Sequence, residues 1–459
     1  MNILFVSSRS MIAPNLAYRM SQEGHNVKLY FPNPELRLNF EGLVEKTGDW
    51  QKELPWVGKD GLIVFDDVGS GKSQEELRAQ GYSVFGGSEV GCKLEADRDY
   101  AQQILAEAGM KTVEIKTFKN ILEAIEFVKT HHGAWVIKQN GQSSKSLNYV
   151  SMFDDGHDIV NVLENYSRIP KYKLRTITLQ RKIKGVEIGV GRYFNGKDWV
   201  GPIEINIEHK KLFPGDLGPP TSEMGTLGWY DDDENNRLFQ ETLAKLKPFL
   251  QKIDYRGDID LNCIVNEAGA FPLEITSRLG APIIHLHDEI HKSHWADFFK
   301  AIADGKSFNL KWRRGYGIVV MLTVPPFPYS NKLKEFTPFG VNIYFDKKLT
   351  PNDFKHIHFE EVAVTERQNH KQYYISGFFG YVMYATALGG TIEEAQAKVY
   401  DLIRKIYIPK MFYRNDIGSS FLNSGRNKLK ELGYSTGPSH RLKALTNLLK
   451  SKLQEKVSK

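Results

Sequence analysis

The sequence predicts a multidomain protein of α/β and α+β class: an N-terminal parallel α/β domain, a central core holding a polar-faced hairpin, and a C-terminal α+β domain. Three observations carry this. Apolar strand-like runs alternate with helix-periodic stretches over the first part of the chain, Tyr255–Pro282 alternates polar and apolar residues with period two, and Val324-Pro-Pro-Phe-Pro marks a boundary before a strand-rich remainder. With 459 residues and 41% apolar content, the chain can supply several ordinary cores.

Asn2–Val6 reads as a buried strand, Pro14 to about Gly24 as a helix, and Asn26–Tyr30 as the next strand. Leu62–Phe65, a helix around Gln74–Ala79 and Tyr82–Phe85 continue the alternation that a parallel sheet requires. A helix over Arg98–Ala108 leads out of this domain. Val113–Phe118, a helix at Ile121–Thr130 and Trp135–Gln139 form a small α/β unit, followed by the loop Asn140-Gly-Gln-Ser-Ser-Lys-Ser, whose composition suits a flap over phosphates. Strands are expected at Thr176–Gln180 and Glu187–Tyr193, then a mobile stretch His209–Gly225 and a helix over Glu234–Gln251. Beyond the hairpin, strands at Tyr316–Val324, Val341–Phe345, Ile357–Val364 and Phe378–Ala385 and a helix at Thr391–Tyr407 complete the C-terminal domain. The expected divisions are 1–97, 98–312 with a small lobe over 110–182, 313–422, and a basic helical tail 423–459.

The hairpin carries the chemistry. Asp258, Asp260 and Asn262 project from one face of the first strand, Asn266-Glu-Ala-Gly turns the chain, and Glu274, Thr276 and Arg278 share a face of the second. Oxygen ligands beside a guanidinium are what a metal-bound phosphate requires. Val68-Gly-Ser-Gly-Lys-Ser resembles the end of a P-loop, but Asp66 stands where the first glycine of that motif belongs.

Two cysteines, Cys92 and Cys263, give no disulfide framework. The start of the chain lacks the pattern of a signal peptide and no apolar run approaches a membrane span, so a cytoplasmic location with no membrane partner is expected. Of the net +6, the segment Arg426–Lys459 holds nine Lys/Arg against two Asp/Glu, a net +7 that leaves the rest at −1. Such a tail suits a nucleic acid or a solvated helix, and Leu442, Leu445, Leu448, Leu449 and Leu453 recur at helical spacing along it.

Several segments in order resemble the ATP-grasp ligases, specifically the phosphoribosylamine-glycine ligase (glycinamide ribonucleotide synthetase) family. They are Tyr82-Ser-Val-Phe-Gly-Gly-Ser, Leu94-Glu-Ala-Asp-Arg-Asp-Tyr-Ala, Ile207-Glu-His-Lys-Lys-Leu with Gly215-Asp-Leu-Gly-Pro-Pro-Thr-Ser-Glu-Met-Gly, Tyr255-Arg-Gly, Leu273-Glu with Arg278-Leu-Gly, and Ala387-Leu-Gly-Gly-Thr-Ile-Glu-Glu-Ala with Met411-Phe-Tyr-Arg-Asn-Asp-Ile-Gly. The resemblance spans about residues 1–422 and implies an ATP-grasp core that clamps ATP between two lobes. It implies ATP with Mg²⁺ or Mn²⁺, an amino acid carboxylate with glycine favoured, and phosphoribosylamine or another nucleotide-like amine. An amide would then form through an acyl phosphate.

By the same resemblance, Arg98, Lys138 and Lys145 contact nucleotide phosphates. Gln180 lies in the adenine hinge and Glu187 faces the ribose hydroxyls. Glu274, Asn262 and Thr276 hold the metal, with threonine standing at 276 where the family has asparagine. Arg278 and Lys145 would stabilise the transferring phosphoryl group, and Asp66, Asp216, Thr221 and Gly225 fall on the substrate side. Departures cluster at the amine end. A Gly-Gly-Arg-Glu-His segment of the family is Ser10-Met-Ile-Ala-Pro14 here, Pro-Glu-Ala-Pro-Leu is Phe65-Asp-Asp-Val-Gly, and Ser-Gly-Gly-Arg is Ser376-Gly-Phe-Phe. They leave open a ligase joining an amino acid to a different amine, such as a modified nucleotide or nucleic-acid base, or a non-catalytic nucleotide-binding or nucleic-acid-binding homologue.

Overall fold

The computed structural model describes residues 1–7, 12–138, 148–170, 176–329, 337–367 and 370–439. Five parallel strands open the chain: β1 (Asn2–Val6), β2 (Asn26–Tyr30), β3 (Glu45–Lys46), β4 (Leu62–Phe65) and β5 (Val84–Phe85), in the order β3-β2-β1-β4-β5. Alternate residues of β1 and β4 enter different cores. Ile3, Phe5, Leu62 and Val64 join one apolar cluster, and Leu4, Val6, Ile63 and Phe65 join another, which is why these strands are apolar throughout.

A separate antiparallel sheet follows, from β6 (Ile115–Phe118), β7 (Trp135–Lys138), β8 (Tyr149–Val150) and β9 (Ile177–Arg181), in the order β6-β9-β7-β8. The helices Ile121–Thr130 and His157–Ser167 cover it, closing a core around Ile125, Trp135, Ile137, Leu163 and Leu179.

The rest of the chain builds one large antiparallel sheet and two smaller ones. Its strands are β10 (Val186–Asn195), β11 (Trp199–Glu208), the short pair β12 (Lys211–Phe213) and β13 (Leu217–Pro220), β14 (Gly225–Asp231), β15 (Arg256–Asn266), β16 (Gly269–Thr276), β17 (Tyr316–Thr323), β18 (Asn342–Phe345), β19 (Ile357–Phe359), β20 (Val362–Arg367), β21 (His370–Ile375), β22 (Tyr381–Gly389) and β23 (Ile406–Tyr407). Eight of them run in the order β16-β15-β10-β11-β14-β17-β22-β19, so the hairpin strands and strands beyond residue 313 belong to one sheet. Sequence patterning did not anticipate this continuity, because β11, β14 and the helices Ile283–Ile290 and Trp295–Ala303 were not read as elements.

Five expectations are corrected. The stretch 209–225 is an ordered β12/β13 pair rather than a mobile loop, with the buried Arg414 guanidinium donating to Asp216 at 2.8 Å and to the Lys211 carbonyl at 3.1 Å. The helix over 234–251 is three pieces, Arg237–Glu241, a 3-10 turn Leu243–Leu246 and Lys247–Lys252. Thr242 leaves helical geometry at φ −130°, ψ −97°, and Pro248 lacks the N–H that a helix interior needs. The strand over 357–364 is β19 and β20, separated by Glu360 and Glu361. The Glu361 carboxylate accepts from the Phe379 and Gly380 N–H groups at 3.0 and 2.8 Å, holding that approach as a loop, so the next strand begins at Tyr381 rather than Phe378. The helix at 391–407 ends at Ile403, and Ile406–Tyr407 pairs with β18.

Among the described residues, no helix is long and apolar enough to cross a membrane. The beginning of the basic tail packs on the body through buried Leu429 and a Tyr434 hydroxyl that donates to Glu241 at 2.7 Å. The leucine stripe from Leu442 to Leu453 lies outside the described residues.

Candidate active site

The site forms where β16, β15, β10 and β11 lie side by side. Pairing sets Asn262 opposite Glu274 and Asp260 opposite Thr276, as the period-two pattern requires. Gly189 is the β10 partner of both Asn262 and Asn206, and Gly191 pairs with Asp260 and Glu204. A Cβ at Gly189 would stand 2.2 Å from the Asn206 Oδ1, and one at Gly191 would stand 3.0 Å from Glu204 Oε2 and 3.2 Å from Asp260 Oδ2. These glycines are needed for space. They let polar side chains from β11 and β15 meet across the intervening strand, where Asn206 donates to Asp260 at 3.0 Å.

At the open end of this face, three glutamates from three strands surround one ammonium. Lys210 Nζ lies 2.7 Å from Glu208, 3.1 Å from Glu187 and 3.3 Å from Glu274. The Asn262 amide donates to Glu187 at 3.0 Å and to Glu208 at 2.7 Å, and its Oδ1 is buried with no hydrogen-bond partner among the described residues. Burial works against the Lys210 charge, but the three carboxylates hold its pKa well above the usual lysine value. The Lys210 ammonium in turn lowers the pKa of Glu187, whereas burial raises that of Glu208. Behind them, burial and then Glu208 push the Glu223 carboxyl well above its ordinary range, and Glu223 accepts from the Thr226 hydroxyl.

Arg98, Lys138 and Gln180, expected on the nucleotide side, come from three elements. Arg98, in the first turn of the Arg98–Glu107 helix, donates to the Leu273 carbonyl at 3.1 Å and stands 3.7 Å from Glu274. Lys138 ends β7 of the small sheet. Burial lowers its pKa, with Glu274 favouring its charge and Arg98 and Lys210 opposing it, so the small sheet faces the floor at this point. Gln180 is buried on β9, and its Oε1 has no hydrogen-bond partner among the described residues. Lys145 lies outside the described residues.

The remaining predicted residues hold neighbouring structure. Arg278 is bound up with Glu95 at 3.1 Å and Asp67 at 3.5 Å, and donates to the Leu279 carbonyl at 2.7 Å. Asp66 is buried, accepting from the Ser7 hydroxyl at 2.8 Å and the Ala13 N–H at 3.1 Å. Thr221 donates its N–H and hydroxyl to the Lys210 carbonyl at 2.7 and 2.8 Å, Gly225 accepts from the His209 N–H at 3.0 Å, and Asp216 pairs with Arg414. Asp216, Thr221 and Gly225 therefore anchor the segment that carries Lys210. Burial brings the His209 pKa down to about 4, and the neutral ring accepts from the Gly418 N–H at 3.1 Å.

Sequence reasoning missed Lys210 and Glu208. The signal was present in Ile207-Glu-His-Lys-Lys, whose alternation continues that of β11 and puts Glu208 in line with Asn206 and Glu204.

The donor set fits a hard divalent cation. Glu274 offers a partly exposed carboxylate, Thr276 a hydroxyl, and Asn262 a buried carbonyl oxygen that hydrogen bonding does not use. Among the described residues, no three His, Cys, Asp or Glu side chains are arranged to hold a metal ion as they stand, since the three glutamates converge on the Lys210 ammonium.

Residues 96–282 match the model for the ATP-grasp (A) domain of phosphoribosylglycinamide synthetase, and residues 346–420 match the model for its C domain, together 262 of 459 residues. A phosphoribosylamine–glycine ligase of Clostridium acetobutylicum is 26% identical over 390 residues, covering 83% of this chain and 88% of that protein. The crystal structure of a phosphoribosylamine–glycine ligase from Thermotoga maritima superposes with a TM-score of 0.67 at 21% identity, covering 91% of this chain and all of that one. The biotin carboxylase domain of a Hydrogenobacter thermophilus 2-oxoglutarate carboxylase, solved with MgADP, superposes with a TM-score of 0.61 at 12% identity, covering 95% of this chain and 96% of that one.

Proposed function

We propose, from the premise that this chain belongs to the phosphoribosylglycinamide synthetase family of ATP-grasp ligases, that it joins glycine to phosphoribosylamine as an ADP-forming carbon–nitrogen ligase. The chain is an ATP-dependent carboxylate–amine ligase, and the observation that carries the reading is the convergence of Lys138, Arg98, Glu187, Asn262 and Glu274 on one end of the sheet. The relatives named for this activity support its place in purine synthesis. They give no support to a nucleic-acid amine.

In this reading Lys138 and Arg98 hold the nucleotide phosphates, Glu187 binds the ribose hydroxyls, and Gln180 reads the adenine with its unpartnered carbonyl oxygen. Glu274, Asn262 and Thr276 would hold a magnesium ion, and the chemistry it would supply is neutralisation of charge on the γ-phosphate. The glycine carboxylate attacks that phosphorus, ADP leaves, and the amine then displaces phosphate from the acyl group. Arg278, already neutralised by Glu95 and Asp67, sets the N-terminal sheet against the floor and positions the phosphoryl side through that contact. Lys145 would cover the phosphates, and Asp66, Asp216, Thr221 and Gly225 border the two substrates. In this reading catalysis takes place in the cytoplasm.

The test is ADP release with glycine and with phosphoribosylamine generated in situ from ribose 5-phosphate and ammonia. Release is expected only when both are present with Mg²⁺. Turnover with glycine and a different amine, but none with phosphoribosylamine, would overturn the assignment of the amine.

A further inference from the structure

Lys210 is placed to do more than anchor a salt bridge. Its ammonium is the point on which Glu187, Glu208 and Glu274 converge, at 3.1, 2.7 and 3.3 Å, and these carboxylates come from three different strands. We propose that Lys210 is a built-in counter-ion that competes with the divalent cation for the Glu274 carboxylate of the floor and must leave it for the cation to bind. This rests on the metal-site assignment above.

Three features support an exchange. The backbone around Lys210 is fixed. Its carbonyl accepts two bonds from Thr221, the His209 N–H and carbonyl are tied to Gly225 and Met224 at 3.0 and 2.8 Å, and Arg414 holds the next carbonyl at 3.1 Å. The side chain is therefore the part free to swing, and at 34% exposure it has room on its solvent side. Second, Asn262 uses only its amide N–H groups to hold Glu187 and Glu208, so its buried Oδ1 is available to a cation without breaking either bond. Third, one ammonium touches all three glutamates, with Arg98 adding to Glu274 at 3.7 Å. Removing it with no replacement would leave like charges packed together, so release of Lys210 and entry of the cation must be linked.

The consequence is that the resting enzyme holds divalent cations weakly by itself. The phosphates of an arriving nucleotide supply what tips the balance, by giving the displaced ammonium a new partner and the cation further oxygens. Binding of metal and nucleotide then become mutually dependent through one side chain.

The test is Mn²⁺ binding followed by electron paramagnetic resonance, first without nucleotide and then with a non-hydrolysable ATP analogue. Without nucleotide, Lys210→Met should bind Mn²⁺ about tenfold or more tightly than wild type, and Lys210→Arg should stay weak. Equal affinity in wild type and Lys210→Met overturns the proposal. If no protein binds Mn²⁺ even with the analogue, the metal-site assignment fails instead, a separate outcome. Should Lys210→Met fail to fold, acetylation of wild-type lysines read by mass spectrometry decides. Saturating Mn²⁺ should raise modification of Lys210, and unchanged labelling overturns the idea.

Discussion

Two carboxylate-rich regions of this molecule solve the same electrostatic problem in opposite ways. On the floor, Glu187, Glu208 and Glu274 are balanced by the cations Lys210 and Arg98. At the junction of the N-terminal sheet with β20 and β22, Glu360 and Glu361 lie buried near Asp66, and among the described residues neither pairs with a lysine or arginine. Glu361 is held by backbone N–H groups instead, and Glu360 leaves its Oε2 without a hydrogen-bond partner. Of the cation-balanced carboxylates, Glu187 is held below the ordinary range by the Lys210 ammonium. Amide-held ones are part of the fold and record pH.

The comparison breaks first at Glu274. Glu274→Gln keeps the shape but removes one charge and turns one acceptor oxygen into a donor facing Lys210 or Arg98, so kcat should fall by about a thousandfold, roughly 4 kcal/mol of transition-state stabilisation. Because this side chain is about one-third exposed, thermal stability should change little. A variant with near-native kcat would show that the floor is structural, like the junction.

The converse test is pH. Burial raises the Glu361 pKa from 4.5 to about 7, so the folded protein binds a proton that the unfolded chain has already lost. Stability should therefore be greatest below about pH 4.5 as far as this group is concerned, and fall by roughly 3 kcal/mol as pH rises toward 7. Burial, Glu361 and Asp66 also raise Glu360, which adds a fall of the same sign. Glu361→Gln should flatten the slope in denaturant melts between pH 5 and 7.5, with little effect on the affinity for ATP. An unchanged slope would assign the pH dependence to Glu360 or to Asp258, which burial also raises to about 7.

A smaller effect probes the spacing of the floor. Gly189→Ala places a methyl group 2.2 Å from Asn206 Oδ1, which should cost about 1–3 kcal/mol by overpacking and separate Asn206 from Asp260. Urea melts measure the cost. The same substitution at exposed Gly24 meets nothing within 4 Å, but its φ of +91° still strains an alanine, so it serves as the backbone-strain control.

What the sequence revealed follows from the range of the interactions. The strands Asn2–Val6, Asn26–Tyr30 and Leu62–Phe65 and the helix Ile121–Thr130 match the structure at both ends, because apolar runs and local periodicity define them. The hairpin face was legible for the same reason. Lys210 was not, since its meaning depends on Glu187 and Glu274, which lie 23 and 64 residues away and meet it only through the pairing of the sheet. The split at Glu360 and Glu361 was hidden likewise: two acids between apolar runs look like strand alternation until the backbone of Phe379 and Gly380 is seen to bind one of them. Arg278 taught the reverse lesson. Period-two alternation put it on the second strand beside Glu274 and Thr276, but β16 ends at Thr276, and beyond that end Arg278 turns to Glu95 and Asp67 in the N-terminal part of the chain.

The finest test concerns position 276, where the resemblance leads one to expect asparagine. Thr276 pairs across the hairpin with Asp260, next to the Asn262–Glu274 pair, so its hydroxyl and the Asn262 amide share one patch of the floor. If the Asn262 Oδ1 already supplies an amide oxygen, asparagine at 276 adds a second donor of the same kind to a site that has one. Thr276→Asn should then change the Mg²⁺ concentration for half-maximal ADP release by less than tenfold, below about 1.4 kcal/mol. A larger tightening would mean that Asn262 is fully engaged with Glu187 and Glu208 and contributes nothing to the cation. The floor would then keep its asparagine for the glutamates, as the junction keeps its backbone amides for Glu361, and the contrast between the two regions would narrow to the cations alone.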